Sequence, residues 1–196
     1  MWVLLALALT FPDASAFKSL SSTEQIDISI ARSGEVPWVL ATHTLSVAPE
    51  KVFELLSNFG NYQKVFAGSV KSVAILSTSK EATRLHVVWP LPFPMRNRDA
   101  VIKYSGSKTA TGYLIDWLHD DAKGDPSEGL RIEKVAGKTE ITTGKTPGTT
   151  LVTYTYFADL GGSLPEFIKE ASYIEEPIVY FNSIRKYFGL TAISGK

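Results

Sequence analysis

From about residue 69 to residue 159 the chain is almost all strand and turn, and one long helix then follows. Runs rich in Val, Ile, Thr, Tyr and Trp with two-residue alternation predict strands over 69–77, 82–90, 98–106, 111–119, 129–135, 138–143 and 149–159. Short links such as Ser105-Gly106-Ser107 and Ala136-Gly137-Lys138 separate them. Sequential hairpin links imply an antiparallel meander. Strands without intervening helices argue against a parallel α/β sheet. After Gly161-Gly162, the stretch Ser163-Leu164-Pro165-Glu166 reads as a capping box, with Ser at the cap and Glu three residues on. Leu164, Phe167, Ile168, Ala171, Ile174, Ile178, Phe181, Ile184 and Phe188 recur at three- and four-residue steps, which predicts a helix of roughly 25 residues. Pro177 lies inside that run and is expected to bend or divide it, while Arg185 and Lys186 suit its negative end. The fold class is therefore α+β, a curved antiparallel sheet wrapped around a long C-terminal helix.

Ahead of the meander, Ile26-Asp27-Ile28-Ser29-Ile30 alternates like a half-buried strand, and Ser33-Gly34-Glu35 turns the chain into a second strand from Trp38 to Val47. Pro49 then opens a short helix that places Val52, Phe53, Leu56 and Phe59 on one face. Gly60 and Asn61 stop it, and Tyr62 to Phe66 adds a further turn. The 196 residues fit one domain. A formal net charge of zero excludes the basic field that nucleic-acid binding requires. With no cysteine, there is no disulfide, thiolate metal site or cysteine nucleophile. His43, His86 and His119 are scattered and fall in no metal-ligand spacing. No nucleophile elbow, phosphate loop or dinucleotide fingerprint is present, so no catalytic or metal residue is assigned and no cofactor is expected.

The N-terminal end has a character of its own. Trp2 to Phe11 is nearly all apolar but far short of the ~20 residues that span a bilayer. Pro12 and then Ala14-Ser15-Ala16 follow, a small-x-small pattern. This reads as a signal peptide over 1–16, cleaved near Ala16, although no Lys or Arg precedes the apolar run. The alternative is a buried N-terminal strand or helix. Cleavage would make the protein exported, periplasmic or secreted, with a Ser-rich leader over 17–24.

Three patterns carry a resemblance. Val47-Ala48-Pro49-Glu50-Lys51-Val52-Phe53-Glu54-Leu55-Leu56, with Asn61-Tyr62 after it, looks like an opening helix. Trp89-Pro90-Leu91-Pro92-Phe93-Pro94-Met95-Arg96-Asn97-Arg98-Asp99 is similar to a loop entering an Arg-Asp strand start. Asp159-Leu160-Gly161-Gly162-Ser163-Leu164-Pro165 resembles a last strand passing into a gripping helix. In this order they resemble the START-like lipid-transfer superfamily, the helix-grip fold shared with Bet v 1 allergens and polyketide cyclases, in an exported bacterial-type form. The likeness covers roughly 25–190, which leaves 191–196 as a tail. It implies an elongated apolar tunnel between sheet and helix, a lipid or other hydrophobic small molecule as partner, transient contact with a membrane surface, and a monomer.

Strand alternation nominates the tunnel lining. Glu81, Thr83, Leu85, Val87 and Trp89 share one face, opposite Arg84, His86 and Val88. Arg98, Ala100, Ile102 and Tyr104 share another, opposite Asp99, Val101 and Lys103, whose charges point to solvent on their side. Tyr113, Ile115 and Trp117 oppose Leu114 and Asp116, and Phe167, Ala171, Ile174 and Ile178 face them from the helix. The same apolar residues would equally fill a close-packed core. The resemblance implies that Arg98 lies inside the tunnel, paired with Glu81 and able to meet a polar headgroup; alternatively Arg98 and Asp99 tie down the Pro-rich loop. That loop is either a rigid connector or a tunnel rim presenting Phe93 and Met95. Three functions stay open: binding, with transfer, of a hydrophobic ligand; a small-molecule cyclase or hydratase with His43 as general base; and a scaffold with a filled core and no ligand.

Overall fold

The structure is a computed structural model that describes residues 10–23, 25–32, 34–162 and 164–193. Among these residues, β1 (Lys18–Ser22), β2 (Ile26–Ala31) and β3 (Trp38–Leu45) come first. Two short helices follow, α1 (Pro49–Ser57) and α2 (Tyr62–Val65). The meander comprises β4 (Ser72–Thr78), β5 (Thr83–Trp89), β6 (Arg98–Lys108), β7 (Gly112–His119), β8 (Leu130–Arg131), β9 (Val135–Thr143) and β10 (Thr150–Ala158). The long helix α3 runs from Glu166 to Tyr187. The order across the sheet is β1-β2-β3-β10-β9-β7-β6-β5-β4. Every neighbouring pair in that order is antiparallel, and β10 joins the N-terminal strands to the meander. β8 lies parallel to the first two residues of β6, beyond the point where β7 stops pairing with it.

The two-residue alternation places the core. Leu85, Val87, Ala100, Ile102, Tyr104 and Ile115 are buried on the face that also receives Val52, Leu55 and Leu56 of α1 and Tyr180, Phe181 and Ile184 of α3. α1 starts at Pro49, with Ala48 at its cap, and packs over β7 and β9, where Phe53 stacks on Tyr113 at 4.5 Å. A smaller apolar cluster, Ala31, Trp38, Ala136 and Phe157, occupies the opposite face. The tail also packs down: the Asn182 side chain exchanges two hydrogen bonds with the backbone of Ile193, which is buried.

Several expectations are corrected. Lys18–Ser22, read as leader, forms an edge strand on β2. Residues 1–9 of the apolar N-terminal run lie outside the described residues; of the rest, Phe11 rests on Trp38 with ring centroids 4.7 Å apart. Ala136-Gly137-Lys138 is no link. It lies inside β9, because the Trp117 indole on β7 takes the space where a side chain at 137 would stand. The cap of α3 falls on Pro165, and Lys169 bonds Glu166; Ser163, on which the expected capping box rests, lies outside the described residues. Pro177 does not divide α3: one helix runs through it.

The side of β5 and β6 expected to face solvent is covered. Asp99, Val101 and Val88 are fully buried there, and His86 is 6% exposed. The segment between β7 and β8 covers them: Arg84 holds Asp120 at 2.6 Å and Asp125 at 2.7 Å, and Arg131 holds Asp121 at 2.8 Å and Asp99 at 3.1 Å. His86 reaches the same Asp99 oxygen at 2.9 Å.

Candidate ligand-binding site

Under α3 the inner face of the sheet is aromatic. Tyr104, Trp117 and Tyr154 come from β6, β7 and β10, with Tyr104–Trp117 and Trp117–Tyr154 ring centroids 5.8 and 5.6 Å apart. Tyr154 in turn stacks on Tyr180 of α3 at 4.0 Å with the rings 7° from parallel, and Tyr180 stacks on Phe66 at 5.4 Å. The series can cross β9 because residue 137 is glycine. Each such pair adds about 0.5–1.5 kcal/mol beyond the area it buries.

Hydroxyl groups make this apolar face polar at chosen points. Tyr180 and Thr139 share a hydrogen bond of 3.0 Å. Tyr154 donates to Glu176 Oε1 at 2.9 Å, and Tyr156 donates to the Ser172 carbonyl oxygen at 3.3 Å. Part of Glu176 reaches solvent, but its Oε2 is fully buried and has no hydrogen-bond partner among the described residues. Burial pushes the Glu176 carboxyl up to about 7, with the neighbouring Tyr154 and Tyr156 hydroxyls acting the other way. Burial also raises the Tyr62 hydroxyl to about 12 and Tyr104, Tyr154 and Tyr156 well above the usual phenol range, so all four are donors at neutral pH. Leaving a buried acceptor unmatched costs about 1–3 kcal/mol.

The enclosed space is small. A void of about 10 Å³ lies among Leu56, Tyr62, Tyr104, Ile115, Trp117, Thr139 and Tyr180, enough for roughly one water. A groove of about 1050 Å³ lies outside it, at the start of α3. Leu118 and His119 of β7, Glu133 and Lys134, Phe157 to Gly162, and Leu164, Ser172 and Tyr173 line it, with Trp38, Phe157 and Leu118 on the other face of the sheet. The Glu176 cluster touches a lining residue of each. Ser172, which accepts from Tyr156, lines the groove, while Tyr180, which stacks on Tyr154, lines the void.

Arg98 holds the hinge beside the groove. It is 4% exposed and donates to three carbonyl oxygens: Leu160 at 2.5 Å, Arg96 at 2.7 Å and Gly161 at 3.1 Å. Burial and the neighbouring Arg96 charge lower its pKa. Gly161 and Gly162 both have positive φ, a turn that side-chain-bearing residues resist. The Pro-rich loop and the strand-to-helix turn are thus fastened by one guanidinium.

Comparison with known proteins fits this arrangement. No family model matches the sequence. An uncharacterized protein of Pseudomonas aeruginosa, PA1579, is 31% identical over 97 residues, so the chain spans about half (48%) of the length of the curated relative it matches. A solved STAR-related lipid transfer protein from Xanthomonas axonopodis superposes with a TM-score of 0.76 over 89% of this chain and 99% of that one, at 17% identity. Human StAR-related lipid transfer protein 5 gives 0.75 over 89% and 86%, at 16% identity. The Zhui aromatase/cyclase from Streptomyces sp. R1128 gives 0.56 over 80% and 100%, at 13% identity. The chain has the START-like helix-grip fold.

Within the grip, the structure brings most nominated residues together. Leu85, Val87, Trp89, Ala100, Ile102, Tyr104, Tyr113, Ile115, Trp117, Ile174 and Ile178 belong to or pack on the main core, and Ala171 is half-buried on α3. Three nominations fail. Glu81 is exposed in the β4–β5 turn, where its amide bonds Ser79, so it cannot pair with Arg98. Phe167 is 70% exposed on the first turns of α3. His43 has no free nitrogen for a general base. Its Nδ1 bonds the Gln25 carbonyl oxygen, its Nε2 accepts from Arg185 at 3.0 Å, and burial with the Arg185 charge lowers its pKa. Sequence reading missed Glu176, Tyr154, Tyr156 and Tyr180. The signal for the tyrosines was available, since 154 and 156 share one face of a strand.

Proposed function

We propose that this chain binds a lipid or other hydrophobic small molecule between the sheet and α3, with entry through the groove at Gly161-Gly162. The observation that carries this reading is the series from groove to interior: Tyr156 bonds Ser172 and stacks on Tyr154, and Tyr154 bonds Glu176 and stacks on Tyr180, along a face that is otherwise apolar. An apolar lining with few convergent polar groups is what a small-molecule site needs. Two of the similar structures carry lipid transfer in their names, which supports a ligand of this kind. The void at Tyr180 is far too small for such a ligand, so a ligand seated there requires α3 or its ring neighbours to move. Phe93, 97% exposed on the Pro-rich loop, and Phe167 are the apolar groups that would meet a membrane surface during loading. Export after cleavage near Ala16 belongs to the same proposal and is tested by the N-terminal sequence of the secreted protein.

The test is native mass spectrometry of the purified protein with organic extraction. Recovery of a bound lipid supports the reading. Protein that carries none, and that also fails to displace a fluorescent fatty acid or sterol, overturns it. The close stacking of Tyr154 on Tyr180 favours a second reading, a filled-core scaffold, and that same negative result would support it.

A further inference from the structure

We propose that Glu176 is the recognition point for a hydrogen-bond donor on the ligand, so that the preferred ligand is an apolar molecule with a neutral hydroxyl head rather than a carboxylate. This deepens the reading of a hydrophobic ligand and rests on it.

The geometry comes from four side chains. Glu176 projects from the middle of α3, and one of its oxygens takes the Tyr154 hydroxyl at 2.9 Å. The other, Oε2, is buried and unpartnered among the described residues. Buried polar atoms are nearly always bonded, and an orphan of this kind in a native structure is matched by a water, an ion or a ligand group. The hydroxyls of the cluster are directed elsewhere. Tyr154 donates to Oε1 and Tyr180 is matched with Thr139, while Tyr156, close enough to the carboxylate to act on its pKa, directs its hydroxyl to the Ser172 carbonyl oxygen. A carboxylate accepts and does not donate, so the complementary ligand group is a donor. An anionic head would stand against the carboxylate in a low-dielectric site with no buried cation on the cluster, and is disfavoured there. Tyr154, Tyr156 and Tyr180 supply flat ring surface beside the carboxylate for the apolar body.

The position suits entry from the groove. Ser172, one turn earlier on α3, lines the groove and bonds Tyr156. A molecule that enters past Ser172 therefore meets Glu176 before it reaches the void at Tyr180.

The probes are decanol, which has a hydroxyl donor, decyl methyl ether, which has none, and decanoate. Each is titrated into the full chain at about pH 8, where Glu176 is ionised, and followed by intrinsic tryptophan fluorescence. Decanol should bind about tenfold more tightly than the ether, as one charge-assisted hydrogen bond allows, and decanoate most weakly. In Glu176→Leu the alcohol and the ether should bind alike. If that variant does not fold, Glu176→Gln, of the same shape without the charge, should narrow the preference. Equal binding of decanol and ether by the unaltered chain overturns this inference and leaves the hydrophobic-ligand reading standing. A preference that persists in Glu176→Leu overturns it as well. Failure of all three probes to bind overturns both.

Discussion

The Trp117 indole fills the place of a side chain at Gly137: a Cβ built on that glycine would stand 2.2 Å from Trp117 Cζ2 and 2.7 Å from the Thr155 carbonyl oxygen. The two residues are directly paired across β7 and β9, so neither strand can shift to relieve the contact without breaking its register. Gly137→Ala should therefore destabilise the fold by about 1–3 kcal/mol and disturb the Trp117–Tyr154 stack. Urea unfolding and near-UV circular dichroism read both effects. Gly68→Ala, where no atom lies within 4 Å, is the control, with an expected change below about 0.5 kcal/mol. Equal stability of the two variants would refute the account.

Glu176 makes stability depend on pH in a defined direction. Its folded pKa, about 7, stands above the ordinary value of 4.5, so the folded state binds the proton more tightly. The associated stability is present below about pH 4.5 and is lost as pH rises to about 7, a difference of about 3 kcal/mol. His43 acts oppositely. Its lowered pKa gives stability that is present above its ordinary value of 6.5 and is lost as pH falls through the folded value. Glu176→Gln separates the two, because His43 is common to both chains. The variant should match the unaltered protein near pH 4 and exceed it by about 3 kcal/mol near pH 8. A stability difference that is flat across this range would count against a buried carboxyl.

Arg98 is read here as a fastening for the strand-to-helix turn. Arg98→Met leaves the carbonyl oxygens of Leu160, Arg96 and Gly161 without their shared donor, and should cost about 3 kcal/mol. Amide exchange at Leu164 to Lys169 should speed up, while exchange in β5 stays unchanged. Arg98→Lys should recover only part, since an ammonium lacks the planar fork that reaches three acceptors. Unaltered exchange at the start of α3 would show that the turn holds itself.

What could be read in the sequence was what short-range periodicity encodes. Leu85, Val87, Ala100, Ile102, Tyr104, Ile115 and Trp117 follow the pleat into the core, and the three- and four-residue steps of α3 place Phe181 and Ile184 there. Pairings set by distant segments were not legible. Asp99 looks solvent-facing on its own strand, but Arg131, His86 and the 120–131 segment come over it. Glu176 looks like one of two surface acids at 175–176 until Tyr154 arrives from β10. Gly137 reads as a turn signal because nothing local reveals the tryptophan lying across it.

The charge cluster over the outer face gives the last prediction. Asp99 is fully buried, receives both His86 and Arg131 on one oxygen, and keeps Oδ1 unpartnered among the described residues. Arg131 in turn bonds the Pro126 carbonyl oxygen and Asp121, so this aspartate is the inner anchor of the segment that covers β5 and β6. Asp99→Asn keeps the shape but removes the charge that matches a mostly buried guanidinium. Breaking one side of a buried pair costs about 3–5 kcal/mol, and Asp121 should retain part of that. The covering segment should loosen before the sheet does. Limited trypsin digestion should then cleave after Lys123 faster in Asp99→Asn than in the unaltered chain, and Asp27→Asn, at an exposed strand position, should leave that rate unchanged. Cleavage at Lys123 that is no faster in Asp99→Asn would mean that Arg84, through Asp120 and Asp125, holds the segment without Asp99.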